Sequence, residues 1–202
     1  MATIKAVSPI DAASVADAEL VALLADAARG DERALEVLYR KLSRRIYAFA
    51  VRRLSAVDAA EEVVVETMYE VWRHAGRYNG QARVTTWVLG IARHKLLDKL
   101  RQRGVQQMEE IEDHEDSMAD TGPGPYEQLA QKQRAEQVKR CMETLPDVQR
   151  ECLHLVFTEE LGLAEIALVQ DCPENTIKTR LFHARRKMRE CIERQVRWGE
   201  TS

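Results

Sequence analysis

The stretch that decides the fold lies near the C-terminus and runs Gly162-Leu-Ala-Glu-Ile-Ala-Leu-Val-Gln-Asp-Cys-Pro-Glu-Asn-Thr-Ile-Lys-Thr-Arg-Leu-Phe-His-Ala-Arg-Arg-Lys-Met188. It predicts a short helix, a tight turn at residues 171–173 and a longer second helix. An apolar stripe recurs along the second helix at steps of four, three and four residues: Ile177, Leu181, Ala184 and Met188. A second stripe is basic and hydrogen-bonding, with one aromatic ring: Lys178, Thr179, Phe182, His183 and Arg186. Such a helix suits a helix-turn-helix that reads a major groove, and an amphipathic helix with a merely solvated basic face is the alternative.

Composition favours helices in a chain with enough apolar residues to bury a core. The 202 residues are 45% hydrophobic and 31% charged, with only 5% aromatic residues and few Gly or Pro. This length allows one large domain or two small ones. No run approaches the ~20 apolar residues of a membrane span, and residues 1–14, with a single Lys, lack the apolar centre of a secretory signal. We therefore expect a cytoplasmic protein without membrane insertion.

Four cysteines are present, and they are widely separated without a CxxC pair: Cys141, Cys152, Cys172 and Cys191. In a cytoplasmic helical chain they are expected to be buried, reduced thiols. No spacing supports a zinc site or another metal site, and no cofactor is expected. An enzyme with a cysteine nucleophile is an alternative that would require an unrecognised pairing with His in the fold.

Charge is distributed unevenly behind a net charge of −3. Residues 83–103 carry six Lys or Arg and one acid, and residues 174–197 carry eight and three. Between them, residues 104–131 carry eight acids and no Lys or Arg. Because phosphate neutralisation supplies most non-specific DNA affinity, the net acidic chain is expected to bind DNA poorly alone. Something else must deliver it to DNA.

The N-terminal half predicts three helices after a disordered segment at residues 1–17. Gly30 ends the first, and Asp31 caps the second. Asp58 and Glu61 have the spacing of a capping box at the start of the third. The expected buried positions are Leu20, Leu23, Leu24 and Ala27, then Leu35, Leu38, Leu42, Ile46 and Phe49, then Ala60, Val64, Met68, Val71, Trp72 and Ala75. The third helix has five acids and no base between residues 58 and 70, which suggests docking to a basic protein surface.

A turn-rich segment at residues 78–84 precedes a helix that starts at Thr85 or Thr86 and runs to about residue 103. Its inward side is expected to carry Val88, Ile91, Ala92, Leu96 and Leu100. Another face carries an aromatic ring, charges and hydrogen-bonding groups: Trp87, His94, Asp98 and Arg101. Such a face beside a polar loop suits single-stranded nucleic acid, whereas a buried Trp87 and an ordinary surface His94 remain the alternative.

Residues 104–124 are too acidic and too poor in apolar side chains to order themselves, so a flexible domain linker is expected there. A helical pattern resumes at residues 126–144, and Pro146 opens the helix before the helix-turn-helix.

Taken in order, these segments resemble an extracytoplasmic function (ECF) sigma factor. Residues 58–73 resemble the acidic polymerase-docking helix of that family, and residues 86–101 resemble its −10-element helix. Residues 145–150, 165–167 and 176–185 resemble its −35-reading domain. The resemblance covers roughly residues 18–103 and 125–197.

The resemblance implies an all-α fold of two small helical domains joined by a flexible acidic linker, the C-terminal domain being a helix-turn-helix. The expected boundaries are a tail at 1–17, sigma region 2 at 18–103, the linker at 104–124, sigma region 4 at 125–197 and a tail at 198–202. Core RNA polymerase would be the partner, through the β′ clamp helices and, with the C-terminal domain, the β flap. Promoter DNA and an anti-sigma factor are the other expected partners, and no catalytic residue is implied.

The resemblance also assigns residues to three surfaces. Polymerase binding falls to Asp58, Glu61, Glu62 and Glu66. The −10 element falls to Asn79, Gly80, Gln81, Ala82, Arg83, Trp87, His94, Asp98 and Arg101. The −35 element falls to Lys178, Thr179, Phe182 and His183, with Arg180 and Arg185 on flanking phosphates.

Three positions depart from the family pattern. His94 stands where the family usually has Asn, residues 160–162 are Glu-Leu-Gly in place of Gly-Leu-Ser/Thr, and the turn at 171–173 lacks the common Gly. A free-standing helix-turn-helix regulator is the alternative, but it leaves the acidic helix and the Trp87 segment without a purpose.

Overall fold

The computed structural model describes residues 9–54, 56–106 and 125–199, with side chains at 17–54, 56–102 and 134–195. Over these residues the backbone forms eight α-helices and one 3-10 turn, and no strand. They fall in two compact units, one within residues 1–114 and one within 115–202. None of the described helices combines the length and the apolar character that crossing a bilayer requires. The all-α prediction is confirmed.

The N-terminal unit packs four α-helices around one core. They are α1 (Pro9–Ala28), α2 (Glu32–Leu54), α3 (Val57–His74) and α4 (Val84–Gln106), with a 3-10 turn at Ala75–Arg77. Each of these helices contacts the other three. The largest fully buried side chains include Leu38, Ile46 and Phe49 of α2 and Leu89 and Leu96 of α4. The predicted stripe of α2 therefore forms the centre of this core.

The turn between α1 and α2 has the predicted chemistry. Gly30 has a φ of +92°, a left-handed conformation that costs glycine little. The Asp31 carboxylate accepts hydrogen bonds from the backbone N–H groups of Arg33 at 2.9 Å and Ala34 at 3.2 Å. Asp31 thus satisfies two of the donors that a helix start leaves unpaired.

Three expectations about the N-terminal unit are wrong. Helix α1 begins at Pro9, so residues 9–17 are helical and not disordered. Helix α3 begins one residue before Asp58, and its N-cap, Ala56, makes no side-chain cap hydrogen bond, so Asp58 lies inside the first turn and forms no capping box. Trp72 is also 50% exposed and not part of the buried side.

The C-terminal unit consists of α5 (Pro125–Glu143), α6 (Asp147–Phe157), α7 (Leu163–Gln170) and α8 (Glu174–Gly199). Helices α5, α6 and α7 all pack against α8, which buries Ile177, Leu181 and Ala184. Pro146 is the N-cap of α6 and Gly162 the N-cap of α7. The predicted helix-turn-helix is thus formed by α7 and α8.

The turn between α7 and α8 uses Asp171 where a glycine is common. Asp171 has φ 48° and ψ 56°, which is the left-handed conformation that ends many helices. Asp tolerates this conformation better than most residues. The N–H of Cys172 bonds the carbonyl of Ala167 at 3.1 Å, so the turn closes in spite of the missing glycine.

The expectation of four reduced thiols is wrong for one pair. Cys141 on α5 and Cys191 on α8 form a disulfide with a Cα–Cα distance of 5.8 Å. Cys152 is a buried free thiol, and Cys172 is half-buried and free. The sequence separation of 50 positions concealed this pair, because only the packing of α5 against α8 brings the two cysteines together.

The predicted linker lies mostly outside the described residues. Helix α4 ends at Gln106 and α5 starts at Pro125, so the start of the segment continues α4. Residues 107–124, 1–8 and 200–202 are not described. Apart from residues 9–17, which are helical, the predicted boundaries of the domains and tails stay predictions.

Candidate functional site

The first candidate surface is the acidic surface of α3, formed by Asp58, Glu61, Glu62 and Glu66. These four carboxylates and the exposed Val65 line one shallow, open depression. Their spacing of three, one and four residues places them along one side of the helix. The fold thus brings the predicted polymerase-binding residues together on one face.

Lysines of α4 neutralise part of this surface. Lys99 Nζ lies 2.6 Å from Glu62 Oε2 and 2.9 Å from Glu66 Oε1. These two hydrogen bonds raise the pKa of Lys99, against a smaller effect of burial. Lys99 is therefore shared by two of the predicted polymerase-binding carboxylates.

The ion pairs between α3 and α4 continue one turn further along α3. Lys95 Nζ lies 2.9 Å from Glu70 Oε1, and His74 Nε2 lies 3.1 Å from Glu70 Oε2. The hydrogen bond from Lys95 is the main cause that lowers the pKa of Glu70. Acids at steps of four on α3 thus face lysines at a step of four on α4.

The second candidate surface begins at the loop of residues 79–83, between the 3-10 turn and α4. Asn79 Oδ1 accepts a hydrogen bond from the N–H of Gln81 at 3.1 Å, and Gly80 has a φ of +72°. The hydroxyl of Tyr78 donates to the carbonyl of Ala82 at 2.5 Å. The loop is therefore held in shape by its own polar groups.

Trp87 joins this loop to α4. Its ring lies 5.5 Å from that of Tyr78 at an angle of 56°, and the side chain is half-buried. His94, Asp98 and Arg101 follow on exposed positions of α4 at steps of seven, four and three residues, where Arg101 and Asp98 form an ion pair at 3.0 Å. The nucleic-acid face predicted for α4 is thus open to a ligand.

The third candidate surface is the recognition face of α8, formed by Lys178, Thr179, Phe182 and His183. Phe182 is 64% exposed, and its ring meets that of His183 at 5.4 Å, edge to face. Lys178 is exposed and pairs with Glu174 at 2.9 Å, and the exposed Thr179 donates to the carbonyl of Asn175 at 3.0 Å. Arg185, three residues after Phe182 on α8, is also exposed.

Arg180, predicted to contact phosphate, is engaged inside the unit. Its Nη1 donates to Gln170 Oε1 at 2.6 Å and lies 3.4 Å from Cys172 Sγ. The side chain of Gln170 also bonds Glu151 at 3.0 Å and accepts from the Cys152 thiol at 3.1 Å. Burial raises the pKa of Cys152 to about 11, so that thiol is protonated at neutral pH.

Sequence reasoning missed several residues that position these surfaces. Asp17 bonds the start of α4, Lys95 and Lys99 hold the acids of α3, and Gln170 joins α6, α7 and α8. The sequence did indicate Lys95 and Lys99, because the acids of α3 and the lysines of α4 share a repeat of four residues. Within the part of the chain with described side chains, no group of three metal-ligating residues comes together.

Known families match both units of the chain. The model of Sigma-70 region 2 matches residues 38–105 and that of Sigma-70 region 4 matches residues 135–188. The ECF RNA polymerase sigma factor SigK of Mycobacterium ulcerans is 30% identical over 183 residues, covering 87% of this chain and 94% of that protein. The chain belongs to the ECF sigma factors. SigK of Mycolicibacterium vanbaalenii is 27% identical over 176 residues, with 87% and 90% covered.

Two solved structures share the fold of this ECF sigma factor. The sigma factor RpoE of Bartonella quintana, solved with the anti-sigma factor NepR, has a TM-score of 0.61 at 22% identity, covering 76% of this chain and 95% of that one. CnrH, solved with the cytosolic domain of CnrY, has a TM-score of 0.57 at 18% identity, with 87% and 97% covered. As a sigma factor, the protein is a DNA-binding regulator of transcription.

Proposed function

We propose that this ECF sigma factor directs core RNA polymerase to promoters by reading a −35 element with α8 and a −10 element with loop 79–83 and α4. The observation that carries the proposal is the contrast between the surfaces. Helix α3 exposes carboxylates, whereas α8 exposes a cation, a hydroxyl and an aromatic ring. A protein partner with a basic surface suits the first, and DNA suits the second.

The polymerase step follows from charge. The acidic surface of α3 would dock on a basic surface of the polymerase, for which the family suggests the β′ clamp helices, and the C-terminal unit would meet the β flap. Docking fixes two weak DNA-binding surfaces on one body, so their affinities combine through effective concentration. This supports a sigma factor that is a poor DNA binder until polymerase holds it.

The −35 step follows from the exposed side chains of α8. An α-helix fits the major groove, where base edges present a distinct pattern of donors and acceptors. Lys178 offers a donor to guanine, Thr179 a hydroxyl, and Phe182 an apolar contact for a thymine methyl. Arg180 would have to leave Gln170 to reach a phosphate, so of the two flanking arginines Arg185 is the better placed.

The −10 step requires a base to leave the stack. Extruding a base costs a few kcal/mol, and stacking on an aromatic side chain returns about 1–3 kcal/mol. Loop 79–83 with Trp87, His94 and Asp98 would receive that base, and Arg101 would lie along the strand. Strand opening then needs binding energy alone, so we propose that the protein is not an enzyme.

Control by an anti-sigma factor is part of the proposal, since the similar sigma factor RpoE was solved with the anti-sigma factor NepR. Because polymerase is the target, we place the protein in the cytoplasm. An anti-sigma factor would act by covering the acidic surface of α3 or the recognition face of α8.

The test is run-off transcription with purified core polymerase on promoters that the protein occupies in cells. Glu61→Arg, in the acidic surface, should reduce both polymerase affinity and transcript yield. Glu36→Arg, an equal charge change on the exposed side of α2, should leave both unchanged. Absence of any specific transcript with the unaltered protein would refute the proposed function, and tight specific binding to duplex DNA without polymerase would favour an autonomous regulator.

A further inference from the structure

Helix α4 receives its N-terminal cap from a distant helix. Asp17 of α1 accepts a hydrogen bond from the backbone N–H of Val84 at 2.9 Å, across 67 residues of sequence. Val84 is the first residue of α4 and is fully buried. The first N–H groups of a helix have no partner within it, and a carboxylate there is also favoured by the helix dipole. Asp17 therefore fixes the point at which α4 begins.

The charge of the same carboxylate also acts on Tyr78, the residue that precedes loop 79–83. Burial raises the pKa of Tyr78, and the negative charge of Asp17 raises it further. The Tyr78 hydroxyl in turn holds the carbonyl of Ala82 at 2.5 Å, and its ring meets Trp87. Asp17 thus holds the end of the loop through its hydrogen bond to Val84, and its charge acts on Tyr78 at the start of the loop.

Helix α1 is itself firmly packed near this point. It contacts the 3-10 turn before the loop, α3 and α4 as well as α2, and it buries Leu20 and Leu24. A carboxylate on a packed helix provides a rigid support for a five-residue loop. By contrast, the hydrogen bonds inside the loop fix its shape but not its place on the unit.

We propose that Asp17 is a positioning residue for −10 recognition, which holds loop 79–83 and the start of α4 where an extruded base is received. It acts through Val84 and Tyr78 and touches no DNA. The proposal rests on the proposed function, since it assigns a task to a residue outside the surface that would bind the base. It also gives α1 a part in promoter opening.

The experiment uses the full chain bound to core polymerase on a promoter that it occupies in cells. Strand opening is followed by the fluorescence of 2-aminopurine in the −10 non-template strand, and polymerase affinity is measured separately. Asp17→Ala removes the acceptor, whereas Asp17→Asn keeps an oxygen that can accept from Val84. Glu19→Ala is the matched control, because Glu19 lies on the same helix and pairs only at the surface, with Lys41 at 3.0 Å.

We expect Asp17→Ala to reduce the equilibrium extent of opening by about tenfold, the size of a lost hydrogen bond to a charged group. Asp17→Asn keeps a neutral acceptor but loses the charge, so it should lose less than Asp17→Ala, about threefold, and polymerase affinity should be unchanged in both. Tyr78→Phe gives a second variant that removes the hydroxyl and keeps the ring beside Trp87. It should reduce opening with polymerase affinity intact, even if Asp17→Ala proves too unstable to purify.

The outcomes separate this proposal from the function on which it rests. Normal opening by Asp17→Ala, beside normal opening by the unaltered protein, overturns the role of Asp17 alone. Equal loss of opening and polymerase affinity would show a general structural role and also overturn it. Failure of the unaltered protein to open any promoter would instead overturn the proposed function, and this assignment with it.

Discussion

Breaking the disulfide between Cys141 and Cys191 should destabilise the C-terminal unit and leave the N-terminal unit unaffected. The bridge spans 50 residues, and the chain-entropy relation gives about 4 kcal/mol for a loop of that length. Measured values often fall below this limit. A loss of about 2 kcal/mol, half of that limit, would lower the Tm of a unit of this size by about 8–16 °C.

The assay is thermal unfolding of the full chain followed by circular dichroism, with and without reductant. All four cysteines lie at position 141 or beyond, so the transition of the N-terminal unit is an internal control. Cys191→Ala should reproduce the effect of the reductant. Cys172→Ala, which removes a half-buried thiol outside the bridge, should not.

Two results would refute this reasoning. The first is an unchanged transition of the C-terminal unit on reduction, in protein whose bridge is confirmed by mass spectrometry. The second is purified, air-exposed protein in which Cys141 and Cys191 both remain alkylatable, since the packing of α5 on α8 would then not bring the two sulfurs together.

Three further variants test the surfaces and the core. Lys99→Met removes the ammonium group between Glu62 and Glu66 and leaves more of their charge to a basic partner, so titration should give about two- to fivefold tighter polymerase binding; weaker binding would mean that Lys99 itself contacts polymerase. Lys178→Ala should weaken binding of the polymerase complex to a −35 duplex about tenfold, as expected for a lost base contact, with polymerase affinity unchanged; equal loss of both would show that the recognition face is misassigned. Because the folded pKa of Cys152 is about 11 against an ordinary 9.0, the unfolded chain loses this proton first, and urea midpoints of the C-terminal unit should fall between pH 9 and 11. Cys152→Ala should flatten that part of the profile relative to the unaltered protein, and identical profiles would contradict the shift.

Local patterns predicted the parts of the fold that depend on near neighbours. Ile177, Leu181 and Ala184 of the predicted stripe are buried and Met188 is half-buried. Gly30 ends α1 at a positive φ, and Asp31 caps α2. Each of these follows from helical periodicity or from backbone groups within a few residues. The Asp58 capping box failed because a spacing that fits a cap also fits the first turn of a helix that starts earlier.

Contacts between helices were largely beyond the reach of the sequence, and only the ion pairs between α3 and α4 were indicated by a shared repeat of four. The Cys141–Cys191 bridge, the Asp17–Val84 hydrogen bond and the Lys99 ion pairs each join residues at least 33 positions apart. Periodicity places a residue on a face of its helix but does not say which helix lies opposite. The candidate surfaces were predicted as lists of residues, and the fold adds the residues behind them.

If α8 reads the −35 element as proposed, Gln170 has a consequence for how this protein acquires new promoters. Its buried side chain joins Arg180 to Glu151 and Cys152, so the orientation of α8 is set by groups that face away from Lys178, Thr179 and Phe182. Substitutions on the exposed face can then change base preference at little cost in stability, as is usual for surface positions. A regulon can drift, or be re-specified by design, one exposed residue at a time while the scaffold that aims the helix stays constant.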